Sequence, residues 1–279
     1  MDAQKIFSSM VDEISSGGVH FSAHARVALQ VNKALDADDC DIAHAARLIQ
    51  AEPILSAKVV AVSNSVIYNR AGKVTTDVKT AIQRIGFRTV KSLATSVATR
   101  ELAARTSDPV SARLSEQLWV HTAHVASLAQ LIARRVTHQD PDTAMFAAIV
   151  HEIGGFYLIS RAKDFPGILQ EGHEFWIEYG EAGIGREVLK ALEVPDAVMA
   201  AIEEFWEGFL TIPSTSLADT LVLADQLAPV VSPLHSLGDA SQVQEMKANI
   251  DMAIGNDTLS GILKDSAEEI ESLTAALTP

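Results

Sequence analysis

Imidazoles and carboxylates are the side chains of this sequence with the types and spacing for chemistry. Of nine histidines, three stand out. His121 and His124 are three apart in "LWVHTAHVASLAQ", so both lie on roughly one face of a helix. His151 is followed directly by Glu152 in "AIVHEIGGFYL". Farther on, Asp219 and Asp225 each follow an alanine in "SLADTLVLADQLAP". Imidazole and carboxylate together suit several divalent metals. A charged aspartate in so apolar a helix also needs a partner or a solvent-facing position. Taken singly, each has an ordinary reading: a lone helical histidine is commonly a hydrogen-bonded core or surface residue, and a mid-helix aspartate is commonly solvated. The order along the chain, His, then His-carboxylate, then Asp, is what points to one shared metal site.

The elements that must position these residues read as helices nearly everywhere. "DIAHAARLIQAEP" places Ile42, Ala45, Ala46 and Ile49 at helical spacing and is broken at Pro53. "TTDVKTAIQRIG" starts at a capping cluster, buries Val78, Ala81, Ile82 and Ile85 on one face, and ends at Gly86. A longer helix follows from Phe87. Ser107, Asp108 and Pro109 mark a boundary, and a long amphipathic run containing His121 begins there. "QDPDTAMFAAIVHEIGGFYLISRA" reads as one run. "QEGHEFWIEYGEAGIG" reads as a polar segment before "REVLKALEVPDAVMAAIEEFWEGF". "SLADTLVLADQLAPVV" is the last clear core helix, and two or three loosely amphipathic helices are expected after Pro233. No strand and no regular repeat is visible.

Composition agrees with a helical fold. The 279 residues are 48% apolar, enough to fill a real core, and only 5% aromatic. With abundant alanine, that favours helices packed closely through small side chains. The formal charge of −14 repels polyanions, which disfavours broad nucleic-acid binding. Arg84, Arg88, Lys91 and Arg100 crowd one region, but Ser, Thr and Ala surround them, as on a solvated helix face. The single cysteine, Cys40, sits among acids that disfavour a thiolate and reads as a bystander. No signal peptide and no uninterrupted apolar run of about 18 residues is seen, so a cytoplasmic protein without a membrane span is expected.

At this point the sequence resembles a known family. His121, His151-Glu152 and Asp225 follow the order of the HD superfamily of metal-dependent phosphohydrolases, whose ligands run His, His-Asp, Asp. Upstream, Glu52-Pro53, Asn64-Ser65 with Tyr68, and Ala81-Ile82 with Ile85-Gly86 match the spaced motifs of the HDOD subfamily, the HD-related output domains. The resemblance covers roughly residues 20–230. It implies an all-α, two-lobed fold, with an N-terminal helical bundle over 1–108 and an HD-like helical lobe over 109–230; residues 231–279 lie outside the resemblance and read as a helical extension. It implies His121, His151, Glu152 and Asp225 as ligands of one divalent metal ion, with His124 beside them to orient a phosphate or support a ligand. It also implies a place in bacterial signal transduction, with a protein partner or a small signalling ligand.

The departures from the family pattern carry as much weight. His-Glu replaces His-Asp, and the extra methylene moves the carboxylate by over ~1 Å, a large error for a catalytic ligand. Gly155 stands where the family often has a basic residue. Relatives that cleave cyclic dinucleotides, the HD-GYP proteins, carry further histidines for a second metal. Glu181, Ala182 and Gly183, and then Phe205 and Trp206, stand where those would fall. Two-metal hydrolysis needs both ions clamped about 3.5–4 Å apart. The reading that follows is a non-catalytic regulatory module with a degenerate metal site. The alternatives are a single-metal phosphohydrolase, in which Glu152 would be a ligand or a base for water, and a cyclic-dinucleotide sensor that does not cut its ligand. Trp176 and Tyr179, three apart and flanked by acids, are the candidate partner contact.

Overall fold

The computed structural model describes residues 2–19, 21–37, 40–104, 106, 108–211, 213–235 and 256–278. Among these residues there is no strand. Five helices come first: α1 (Ala3–Ser15), α2 (Ala23–Ala34), α3 (Ile42–Gln50), α4 (Pro53–Asn64) and α5 (Val78–Ala103). Then follow α6 (Pro109–Ile132), α7 (Pro141–Val150), α8 (Ile153–Arg161), α9 (Glu181–Ala191), α10 (Asp196–Glu207) and α11 (Leu217–Leu227). The chain closes with α12 (Asn256–Asp265) and α13 (Ala267–Leu277). Of the expected tail, these last two helices are seen, and residues 236–255 lie outside the described residues.

Local chemistry sets the helix starts. Asp108 caps α6 by accepting from Ser111 N at 2.8 Å, and Pro109 supplies a preset φ at its first position. Ser107 of the expected boundary lies outside the described residues. Asp140 does the same for α7 through Thr143 N at 2.8 Å, again before a proline. Pro53 is the first residue of α4 and not only a terminator, with the buried Glu52 carboxylate accepting from Leu55 N. Gly86 has φ 79° and ψ 166°, and the long α5 kinks there. That dihedral region strains any residue with a Cβ, so the helix boundary expected at this glycine is a bend within one element.

Two departures from the expected elements matter for the site. The run through "AIVHEIGGFYL" is two helices, because α7 stops at Val150 and α8 starts at Ile153. Glu152 leaves the helical region, at φ −104° and ψ 24°. Gly154, just beyond, lets α8 cross α9 closely: a Cβ there would meet the backbone of Gly185 at 2.9 Å. The segment read as polar is also helical, with short turns at Ile168–Glu171 and His173–Phe175 and a wide, π-type turn at Trp176–Gly180.

The core is continuous across all these parts. Pro141–Asp164 is long and apolar enough to cross a membrane by composition, at mean hydropathy 1.3, but 83% of that window is buried inside the fold. Tyr68, from the Asn-Ser motif region, ties the first helices to the later ones. Its hydroxyl donates to Asp142 at 3.2 Å and accepts from Gln130 Nε2 at 2.6 Å. Asn64 fixes the loop that follows through both directions of an amide pair with Thr75, at 2.7 and 2.8 Å. The C-terminal helix is tied down as well. Lys58 Nζ and Trp119 Nε1 both donate to Leu277 O, at 2.6 and 3.2 Å.

Asp219 positions α11. It is buried, accepts from Thr211 N and Oγ1 at 2.8 and 2.7 Å and from Thr215 N and Ser216 N at 3.0 Å each, and completes a capping box with Ser216. It therefore serves the helix start and not the metal site. Asp219→Ala should destabilise the fold by about 2–4 kcal/mol in urea unfolding, since it removes a cap and leaves several buried donors unpaired. Burial works to raise this carboxyl, but the Thr211 bonds and those of Ser216 and Thr215 hold it below its ordinary 3.8. Its contribution is thus complete above that value and is lost as pH falls through the depressed pKa.

Candidate metal centre

Four helices converge on one buried point. His121 comes from the middle of α6, His151 from the end of α7, Glu152 from the break before α8, and Asp225 from the last turns of α11. His121 Nε2 lies 3.1 Å from Asp225 Oδ1 and 3.5 Å from Glu152 Oε2. His151 Nε2 lies 3.9 Å from Asp225 Oδ1. The ligand atoms of His121, His151 and Glu152 all fall within 4.8 Å of one another. Exposure of these three residues is 1%, 1% and 4%. The Asp225 side chain, at 23%, keeps the most contact with solvent.

The outer nitrogen of each ring is already committed. His121 Nδ1 is 2.7 Å from Val230 O, and His151 Nδ1 is 2.7 Å from Ala148 O. A carbonyl oxygen only accepts, so each Nδ1 carries a hydrogen and each Nε2 faces the cluster. Carboxylate-facing or carbonyl-facing support of this kind is what orients imidazole toward a metal. His121 Nε2, His151 Nε2 and Glu152 Oε2 are buried without a hydrogen-bond partner of good geometry. Lone pairs aimed at one another repel unless a proton or a cation lies among them. The donor set, two imidazoles and two carboxylates, fits a divalent transition metal.

The charges of the cluster shift one another's protonation. Burial works against a charge on His121, but Glu152 and Asp225 outweigh it and raise its pKa to about 9. Burial likewise works to raise the Asp225 carboxyl, and the His121 bond and charge hold it below the ordinary range. Burial, with the His121 charge, lowers His151 below its ordinary value. One proton on His121 therefore balances part of the cluster.

The structure brings together four of the residues singled out in the sequence and separates others. His124, half-buried one turn from His121, is depressed by burial and by the His121 charge, and its ligand atoms fall outside the metal-type groups among the described residues. Trp176 is a core residue, 3% exposed and edge-on to Phe7 at 6.0 Å between ring centroids, so it cannot present a face to a partner. Tyr179 is half exposed and stacks on Phe175 at 6.5 Å. The wide turn at 176–180 explains the split, since residues three apart do not align there as they do on an α-helix. Phe156 packs on Trp119, at 6.2 Å, and Phe205 is the aromatic that faces His151, at 5.4 Å and 84°.

Two site residues lay beyond the sequence reading. Glu181 Oε2 lies 3.2 Å from His235 Nε2, and the pair joins Glu152 in a second group within 4.8 Å. Glu181 was visible only as a substitute for an expected histidine. His235, in "SPLHS", has no spacing to any other ligand, so sequence offered no signal for it.

Comparison with known proteins agrees with this architecture. A family model for the HDOD domain matches residues 22–207. A crystal structure from Shewanella amazonensis, provisionally described as a metal-dependent phosphohydrolase, is similar over 99% of both chains, with 20% identity and a TM-score of 0.75. An HDOD domain protein of unknown function from Geobacter sulfurreducens is similar over 96% of both chains, with 18% identity and a TM-score of 0.62. A protein from Marinobacter aquaeolei, provisionally described as a signal transduction protein, aligns with 99% of this chain and 66% of its own, with 15% identity and a TM-score of 0.61. At these identities the likeness is one of fold. No curated protein matches the chain.

The proton on His121 sets the pH dependence. An ion entering the cluster should displace about one proton, so apparent metal affinity should rise about tenfold per pH unit and level off above about pH 9. Calorimetry in buffers of different ionisation heat measures that proton directly. Metal-free stability should move the other way. A raised histidine contributes fully below its ordinary 6.5, and the contribution is lost as pH rises through about 9.

Proposed function

The chain belongs to the HDOD domain family, and on that premise we propose that it is a non-catalytic regulatory module whose HD-type centre binds a cation for structure and not for turnover. The observation that carries this reading is the enclosure of the centre. Phosphoester hydrolysis needs the phosphoryl oxygen and a water at the metal. His121, His151 and Glu152 are at most 4% exposed. The Phe205 ring stands against His151. Trp206 of α10 packs against α9, where a Cβ at Gly185 would come within 2.7 Å of its ring, and Arg186 lies over that ring at 5.9 Å. The Phe205 ring thus occupies one side of the centre, at His151.

In this reading an ion among His121, His151, Glu152 and Asp225 fixes the crossing of α6, α7, α8 and α11. The molecule acts outward, through binding. The exposed face with Phe175, Ile177 and Tyr179 is the proposed contact for a protein partner. A second reading, a sensor of a small signalling ligand, is favoured by a cavity of about 760 Å³ between α2, α5, α7 and the segment before α10. Arg26, Lys33, Arg88 and Lys91 reach it, although Lys91 is paired with Asp36 and Arg88 with Asp140. An anionic ligand would have to exchange those acids for its own charge. The single-metal phosphohydrolase remains the catalytic alternative, with Glu152 as ligand or base.

Turnover separates these readings. Protein loaded with Mn²⁺ or Zn²⁺ is expected to leave bis-p-nitrophenyl phosphate and cyclic dinucleotides uncut at the rate of buffer alone. Hydrolysis by the native chain that disappears in His151→Ala would establish the enzyme instead. For the sensor reading, a cyclic dinucleotide should raise the melting temperature of the native chain and not that of Arg88→Ala.

A further inference from the structure

We propose that the cavity between α2, α5, α7 and the segment before α10 binds a phosphomonoester dianion carried on an apolar body. The inference rests on the sensor reading above and names the chemical class that the cavity takes. Its volume of about 760 Å³ lies within the range of small-molecule sites. Among the described residues, its lining holds four basic side chains, Arg26, Lys33, Arg88 and Lys91, against three acidic ones, Asp36, Asp142 and Glu193. That is a balance of +1 in a chain of net charge −14. A basic hollow on so acidic a molecule concentrates anions.

The two walls of the cavity differ in chemistry. α2 and α5 run antiparallel, since Asn32 Nδ2 donates to Thr95 Oγ1 at 3.0 Å and Lys91 pairs with Asp36 just past the end of α2. Lys33 and Lys91 therefore stand at the same end. The opposite wall is apolar, built from Phe146 of α7 and from Leu192, Pro195 and Val198. Glu193 reaches from that wall toward Lys33, at 4.0 Å. It does so from a left-handed backbone, φ 53°, just past the end of α9, where a glycine would be free of strain. An acid is thus held at the rim in a conformation that an L side chain rarely adopts. Charge then selects the ligand. Lys33 faces Glu193 and Lys91 faces Asp36. A ligand that takes both lysines must bring two negative charges, or one lysine loses its counter-charge. A phosphomonoester carries about −1.5 to −2 at pH 7 on one group with three acceptor oxygens. A carboxylate or a phosphodiester group carries one. The body of the ligand lies on the apolar wall. A nucleoside monophosphate and an alkyl phosphate share this chemistry.

The test is isothermal titration of the full chain at low salt with GMP, octyl phosphate, inorganic phosphate and a cyclic dinucleotide. GMP or octyl phosphate is expected to bind at about one equivalent, and which of them binds tells a nucleotide from a lipid-like source. Affinity should fall about tenfold or more in Lys33→Ala and in Lys91→Ala, the loss expected for one charge-assisted bond. It should rise in Glu193→Gly, which removes the competing acid and relieves the backbone. Ala197→Trp, at an exposed position on the apolar wall, should also weaken binding. All four changes lie at exposed or partly exposed positions, so each variant should keep the native circular dichroism spectrum. Equal affinity for inorganic phosphate, or binding that none of the variants alters, would overturn the proposal. A cyclic dinucleotide that binds where neither phosphomonoester does would overturn the ligand class and leave the sensor reading standing. No binding by any probe would overturn both.

Discussion

A carboxylate buried between two imidazoles is the constraint on which the rest of this structure depends. Removing Glu152 from water costs several kcal/mol unless a counter-charge goes with it. His121 and His151 both turn Nε2 toward it because each Nδ1 is spent on a backbone carbonyl. The cluster must therefore contain a proton or a cation. The surrounding architecture serves that requirement. The helix break at His151-Glu152 aims two adjacent side chains inward, which a continuous helix would splay by about 100°. The Asp219 network fixes the start of α11 and so the register of Asp225 near its end. Gly154 brings α9, and with it Glu181, against the same point.

The proposed role turns on how closely the centre is packed. His121, His151 and Glu152 are buried, and Phe205 stands against His151. An ion in such a place acts as a cross-link: it joins residues distant in sequence and stabilises the folded state by its binding free energy. A regulatory module gains from that arrangement, because the ion state of the centre and the packing of α8, α9 and α11 are then linked. The outward features, an aromatic face near Tyr179 and a cavity reached by Arg88 and Lys91, lie on elements that rest on this core.

Much of this was legible in the sequence, for local reasons. Asp108-Pro109, Asp140-Pro141 and Gly86 act within one turn, so their effects survive any tertiary context. The order of His121, His151-Glu152 and Asp225 along the chain pointed to one place in the fold, and the four side chains lie close together there. The break inside "AIVHEIGGFYL" was hidden because both helices are buried nearly all round, which erases the periodicity that reveals helix ends. Trp176 and Tyr179 looked like one face because α-helical spacing was assumed where the chain makes a wider turn. His235 was out of reach for another reason. A lone histidine in a loop acquires meaning only when the chain returns it to Glu181, and no spacing rule encodes that return.

Anomalous X-ray scattering from crystals grown with Zn²⁺ tests the central claim most directly. The account predicts a peak within ligand distance of His121 Nε2, His151 Nε2, Glu152 and Asp225, with each Nδ1 still bonded to its carbonyl. Absence of a peak, with His121 bonded directly to Asp225 and the cluster otherwise unchanged, would contradict it and make the buried group a proton-balanced remnant.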